Sequence, residues 1–291
     1  MTVPLGKPQP WPAPGKLNLF LHVVGRRPDG YHELQTAFQF IDLWDSLRFF
    51  ARPRGVIDRL GDVPGVAADD DLVVRAARLL AGRAGQAAPG VAIALEKRLP
   101  MGGGVGGGSS DAATVLVALN ELWGLRLPVD EIAALGLQLG ADVPVFVLGR
   151  AAWAEGVGEK LVPVDFAEPI YVLVHPGVAI STAEVFKAPE LTRDSPVTTI
   201  AGFLQTGGRN DCEPVVRRRY REVGAALDWL GGFAPARLTG TGSCIYAPMP
   251  DAGHADAVLA QLPSRWRGWV TRGMNRSPLL ERLQFERQGG R

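Results

Sequence analysis

The chain has 291 residues, 46% of them hydrophobic, which is enough for two domains, or one large one, with a substantial core. Its formal net charge of +1 argues against a nucleic-acid or anionic-membrane partner and leaves small anionic ligands open. Cys212 and Cys244 are too few for a disulfide framework or a cysteine-based metal site, and they read as buried free thiols in a reducing compartment.

Residues 1–14 are proline-rich and are expected to be loose. They lack the apolar core of a signal peptide, and no apolar run approaches the roughly 18–20 residues of a membrane span. A cytoplasmic enzyme is the default. Leu17, Leu19 and Leu21 alternate with Asn18, Phe20 and His22, which predicts a strand with one face in the core. Arg27-Pro28-Asp29-Gly30 is a turn. Phe38 to Phe50 reads as strand broken near Asp45, and Pro53 to Gly65 as a surface loop or hairpin. Asp71 can cap a helix carrying Leu72, Ala76, Leu79 and Leu80. Val91, Ile93 and Leu95 then alternate as a strand.

Next comes the stretch that carries chemistry. From Pro100 to Asp111 the chain holds six glycines in seven positions, then Ser109-Ser110-Asp111. Val115, Leu119, Leu122 and Trp123 follow at helical spacing, with Gly124 as the stop. Ser109, Ser110 or Asp111 is the expected cap. A strand, a glycine loop and a helix start suit a phosphate, because the backbone can approach the ligand and the helix offers open N–H groups. No Lys-Ser or Lys-Thr closes the run, so it is not a Walker A loop. Gly102, Gly104 and Gly107 match a dinucleotide fingerprint, which keeps a nicotinamide-dependent oxidoreductase as an alternative. That alternative lacks the acid it needs about 20 residues on: Glu121 falls inside the predicted helix, and Asp130 caps the next one.

Asp130 is expected to start a helix from Glu131 to Leu139, stopped by Gly140. Gly156-Val157-Gly158 is an exposed turn, and Ile170 to Val174 a buried strand. Helices are predicted over 196–205, 213–231 and 251–262, with Arg217-Arg218-Arg219 as a solvated face. A second glycine turn, Leu238 to Ser243, precedes Cys244-Ile245-Tyr246, and Trp269 to Thr271 is a last strand. The tail from Gln284 should fray. Mixed helices and strands with long antiparallel connections predict an α+β fold. The division expected is 1–160 and 161–291.

The glycine loop resembles the nucleotide-binding motif of the GHMP kinase superfamily, which implies two α+β domains with the active site in the cleft between them. Further blocks resemble one branch of it: Pro14-Gly15-Lys16-Leu17-Asn18-Leu19, Gly30-Tyr31-His32, Gly140-Ala141-Asp142-Val143-Pro144-Val145-Phe146, Ala154 to Glu159, Asn210-Asp211-Cys212-Glu213 and Leu238 to Cys244. That branch phosphorylates the 2-hydroxyl of an alcohol bearing a cytidine diphosphate group, in non-mevalonate isoprenoid synthesis. Homoserine and mevalonate kinases are the alternatives within the superfamily.

The resemblance implies ATP and Mg2+. It places the nucleotide over Pro100, Met101, Gly102, Gly103, Gly104, Val105, Gly106, Gly107, Gly108, Ser109 and Ser110, with Lys97 near the adenine and Gly240-Thr241-Gly242 beside the loop. Asp142 is implied as the group that receives or orients the hydroxyl, facing Lys16. On the residues alone, Asp142 reads equally as the N-cap of a helix near Pro144, and Lys16 as a solvated lysine. Tyr31 and Phe186 are implied to stack on the base, His32 to read its edge, and Asn18 and Thr182 to touch substrate. The plainer readings are a turn tyrosine, a core phenylalanine and a surface histidine; His22, His175 and His254 read as structural. Asp71 and Asp111 depart from asparagines common in this branch, and an ionised carboxylate cannot donate to adenine. Val105 replaces its usual leucine. Protein ligands for the metal stay open, with Ser110 a candidate, and so does the oligomeric state.

Overall fold

A computed structural model describes residues 3–85 and 88–288. Trp11–Arg26 form β1 and His32–Arg52 form β2, an antiparallel pair closed by the Asp29-Gly30 turn. From Val3 on, the proline-rich start is ordered rather than loose, and residues 1–2 lie outside the described residues. Trp11 and Ala13 are buried, and Leu5 N–H donates to Phe49 O at 2.9 Å. Pro12 and Pro14 are tolerated because β1 has one strand neighbour, so its other edge needs no N–H ladder. The expected one-faced strand is also corrected. Leu17, Asn18, Phe20 and Leu21 are all buried, because packing covers both sides of β1.

β2 runs unbroken through Asp45, whose carboxylate is satisfied inside the protein. It takes Lys97 Nζ at 2.5 Å and the backbone N–H groups of Arg98 and Leu99 at 2.5 and 2.8 Å. Four elements pair with this long strand: β1, β4 (Gly90–Glu96), β5 (Ala152–Gly156) and β10 (Arg267–Met274). The expected loop after Pro53 contains β3 (Ile57–Leu60), parallel to β4. Beyond β10 the sheet continues through β7 (Ile170–His175), β9 (Ile245–Met249) and β8 (Arg237–Leu238), while β6 (Lys160–Pro163) pairs with β5. Most pairings are antiparallel, as the α+β reading requires.

The first core gathers under α1 (Leu72–Ala84), α2 (Gly107–Leu122), α3 (Val129–Leu137) and α4 (Val143–Leu148). α10 (Pro278–Arg287) joins it: Ser277 accepts from Leu279 N–H, Leu279 is fully buried, and the Arg282 guanidinium lies 4.3 Å over Trp11. From Pro278 to Arg287 the C-terminal segment is therefore a docked helix and not a frayed tail, and residues 289–291 lie outside the described residues. The second core lies under α5 (Thr182–Lys187), α7 (Glu213–Arg219), α8 (Arg221–Gly231) and α9 (Ala252–Leu259), and takes in Leu21 and Val23 of β1. The helix expected over 213–231 is two helices, broken where Tyr220 leaves helical geometry (φ −123°, ψ 89°). The helix expected from 196 is shorter, α6 (Ile200–Thr206). α3 starts before Asp130, which sits in its first turn rather than at the cap. No helix of the described residues is long and apolar enough to cross a membrane.

Candidate active site

A cavity of about 1140 Å³ runs along the inner ends of β1 and β2, between the two cores. Lys16, Asn18, Asp142, the glycine loop from Gly102 to Ser109, Tyr31, His32, Thr182 and Phe186 all line it.

The loop takes its shape from three left-handed glycines. Gly102, Gly104 and Gly106 have φ of 66°, 75° and 73°. A Cβ on Gly104 would fall 2.3 Å from Thr239 O, because the second glycine turn packs directly against the loop. Cys244 N–H donates to Gly103 O at 3.0 Å, and Lys16 N–H to Val105 O at 2.9 Å. Gly106 is the N-cap of α2, so neither serine nor Asp111 caps the helix as expected. Ser110 N–H makes the first intrahelical bond, to Gly106 O at 2.8 Å. The N–H groups of Gly107, Gly108 and Ser109 thus precede the helical ladder and face a ligand-sized space. Ser110 lies behind this wall, and its buried hydroxyl has no partner among the described residues.

Lys16 is buried at the inner end of this wall. Its Nζ lies 3.3 Å from Asp142 Oδ2 and donates to Asn18 Oδ1 at 2.5 Å. Asn18 is fixed in turn by Thr36 Oγ1 (2.9 Å from its Nδ2) and Thr239 Oγ1 (3.0 Å from its backbone N–H). Asp142 does occupy the N-cap position of α4, yet its carboxylate makes no capping bond and turns to Lys16 instead. A half-exposed carboxylate beside an anchored ammonium, next to a phosphate-type loop, is the arrangement phosphoryl transfer needs.

Models of the GHMP kinases N terminal domain and the GHMP kinases C terminal domain match residues 71–150 and 198–268. The 4-diphosphocytidyl-2-C-methyl-D-erythritol kinase of Nitrosococcus oceani is 58% identical over 274 residues, covering 94% of this chain and 98% of its own. The enzyme of the same name from Alkalilimnicola ehrlichii is 57% identical, covering 95% and 94%. The chain belongs to this family of GHMP kinases. A crystal structure of 4-(cytidine 5'-diphospho)-2C-methyl-D-erythritol kinase superposes with a TM-score of 0.79 at 34% identity, covering 90% of this chain and 98% of that one. The mevalonate kinase of L. major, at 20% identity and a TM-score of 0.68 over 95% and 100%, shares the fold. The dinucleotide alternative fails on topology, since the strand before the loop pairs antiparallel with β2 and not within a parallel doubly wound sheet.

At the far end of the kinase's cavity, Tyr31 is 64% exposed on the β1–β2 turn. The His32 ring stacks on Phe186, with centroids 5.2 Å apart and planes at 28°. Thr182 and Thr241 hydrogen-bond through their hydroxyls at 2.9 Å, joining α5 to the second glycine turn. Asp71 caps α1 through Val73 N–H at 3.0 Å and pairs with Arg59, so its carboxylate is already engaged. Lys97 is engaged too: it bridges Asp45 and Asp111, at 2.5 and 2.7 Å. Burial is the main cause that pushes the Asp111 carboxyl up to about 8, with Asp45 adding to it and Lys97 opposing. Sequence reasoning missed this triad, since its members come from β2, the end of β4 and α2. It also missed Arg193, which touches His32 from the loop after α5.

Proposed function

We propose that this kinase transfers the terminal phosphoryl group of ATP to the 2-hydroxyl of 4-diphosphocytidyl-2-C-methyl-D-erythritol. The observation that carries this reading is the Lys16–Asp142 pair, 3.3 Å apart, set between a phosphate-type loop and a stacked His32–Phe186 surface in one cavity. Phosphoryl transfer asks mainly for alignment and charge stabilisation. The N–H groups before the α2 ladder cradle the phosphates. Asp142 accepts a hydrogen bond from the attacking hydroxyl, orients its oxygen in line, and takes the proton as the new bond forms. Lys16, anchored by Asn18, offsets charge building on the oxygens. Lys97 lies at the adenine side of the loop, held there by Asp45 and Asp111.

Mg2+ would be held by phosphate oxygens and waters, because the candidate ligand Ser110 is fully buried behind the loop wall and does not line the cavity. When bound, the ion supplies charge neutralisation at the phosphates. A cytidine base needs a flat apolar surface and a hydrogen-bonding edge, which Tyr31, Phe186 and His32 provide, while homoserine and mevalonate present no base.

The test is ADP release from Mg-ATP with the cytidylyl alcohol, homoserine and mevalonate in parallel. Turnover confined to the cytidylyl alcohol is expected. Turnover with homoserine or mevalonate instead would discard the base pocket and retain the Lys16–Asp142 chemistry.

A further inference from the structure

Arg193 stands at the base end of the cavity and has no part in the mechanism above. Its guanidinium gathers the loop that carries Phe186. Nη2 donates to Phe186 O at 3.0 Å and Ala188 O at 2.7 Å, and Nη1 to Leu191 O at 3.0 Å. Nε points at His32 Nε2 from 3.2 Å. A guanidinium has five N–H donors and no acceptor, and keeps its charge at any working pH. The direction of this hydrogen bond is therefore fixed: Nε2 of His32 accepts.

A neutral imidazole that accepts at Nε2 carries its proton at Nδ1. Double protonation is opposed by burial and by the neighbouring charges of Arg193 and Arg26, which lower the His32 pKa. Nδ1 has no hydrogen-bond partner among the described residues, and the ring lines the cavity while stacked on Phe186. His32 thus offers one N–H donor to whatever base enters.

We propose that Arg193 is the specificity-determining positioning residue of the base pocket, holding His32 in the tautomer that accepts cytosine and refuses uracil. This rests on the cytidylyl substrate proposed above. At ring position 3, cytosine presents a bare nitrogen acceptor and uracil an N–H donor. An Nδ1–H donor completes a hydrogen bond with cytosine and meets uracil donor to donor. The opposite tautomer would reverse the preference. Rejection is strong when a mismatch leaves a desolvated polar group unpaired. Because the same guanidinium holds the carbonyls around Phe186, one side chain sets both the stacking ring and the reading ring.

The experiment measures kcat/KM for the cytidylyl alcohol and its uridylyl analogue, in the wild-type chain and in Arg193→Met and Arg193→Lys. It also reads the His32 tautomer from imidazole 15N shifts of the labelled full chain. The wild type is expected to carry the proton at Nδ1 and to favour the cytidylyl alcohol by about 100-fold. Arg193→Met should mix the tautomers and cut that preference by about tenfold or more, with KM for ATP unchanged. Arg193→Lys, which still donates one hydrogen bond, should recover part of the preference. A wild-type proton at Nε2 overturns the proposal, and this reading needs no variant, so a misfolded Arg193→Met chain does not shield it. A preference unaltered in Arg193→Met, with KM raised equally for both alcohols, reduces Arg193 to a loop clamp and overturns it too. A wild-type chain that phosphorylates neither nucleotide alcohol removes the proposed function first, and this use of Arg193 with it.

Discussion

Asp142 and Lys16 are 126 positions apart in sequence, and a single contact joins them. If Asp142 orients and deprotonates the hydroxyl, Asp142→Asn should cut kcat by about 10²–10⁴ while leaving the nucleotide dissociation constant unchanged. A variant with full turnover would remove Asp142 from the mechanism. Both residues stand out through the motifs they sit in; the residues alone leave Asp142 evenly divided between a cleft carboxylate and a helix cap, and it holds the cap position without serving it. Asp111 was visible only as a departure, because its partners Lys97 and Asp45 lie 14 and 66 positions away in the chain. Its folded-state carboxyl binds a proton up to about pH 8, whereas in the unfolded chain it loses it near pH 4. Between those values the folded state holds the extra proton, so this group's contribution to stability falls as pH rises. Asp111→Asn removes the dependence. Its melting temperature, compared with wild type by calorimetry at pH 5 and pH 8.5, should gain on the wild type as pH rises. A constant difference would contradict the buried assignment.

The glycine loop and α2 form the element that the sequence announces most clearly, since composition and the flanking periodicities agree. What periodicity could not place was the turn itself. The helix begins at a left-handed glycine that packs against Phe146 and Lys16, so the serines fall inside the first turn. The loop is therefore intolerant in a position-specific way. Gly104→Ala would force a left-handed backbone on an L-residue and press a methyl on Thr239 O, at 2.3 Å. We expect KM for ATP to rise at least tenfold, from a loop displaced by even a fraction of an ångström. Gly124→Ala, also left-handed at φ 67° but with open space around its Cβ, should cost about 1–2 kcal/mol of stability and leave KM alone. Equal effects in steady-state kinetics would mean that the packing against the second glycine turn is irrelevant. The uninterrupted course of β2 was equally hidden, because the charge that suggested a break at Asp45 is neutralised by a lysine on another element.

At the scale of the whole molecule, the mixed α+β class was readable from the alternation of patterns, while the arrangement of the two cores was not. We propose the division near residue 160 as one of chain order, with α10 returning to the first core. Truncation after Met274 deletes fully buried Leu279 and the guanidinium over Trp11. Losing a buried leucine costs about 2–5 kcal/mol, and about 2–4 °C accompanies each kcal/mol in a domain of this size, so the melting temperature should drop by roughly 5 °C or more. An unchanged melting curve would show α10 to be ornamental. The 21-residue β2 strand has a further consequence. It pairs with β1 over most of its length, with β5 toward its start and with β4 toward its end, and reaches β7 through β10. Neither core can open without fraying this common member, so the two should melt as one cooperative unit. A partly unfolded kinase that grips nucleotide without an acceptor, and spends it on water, is a species such a backbone should not populate.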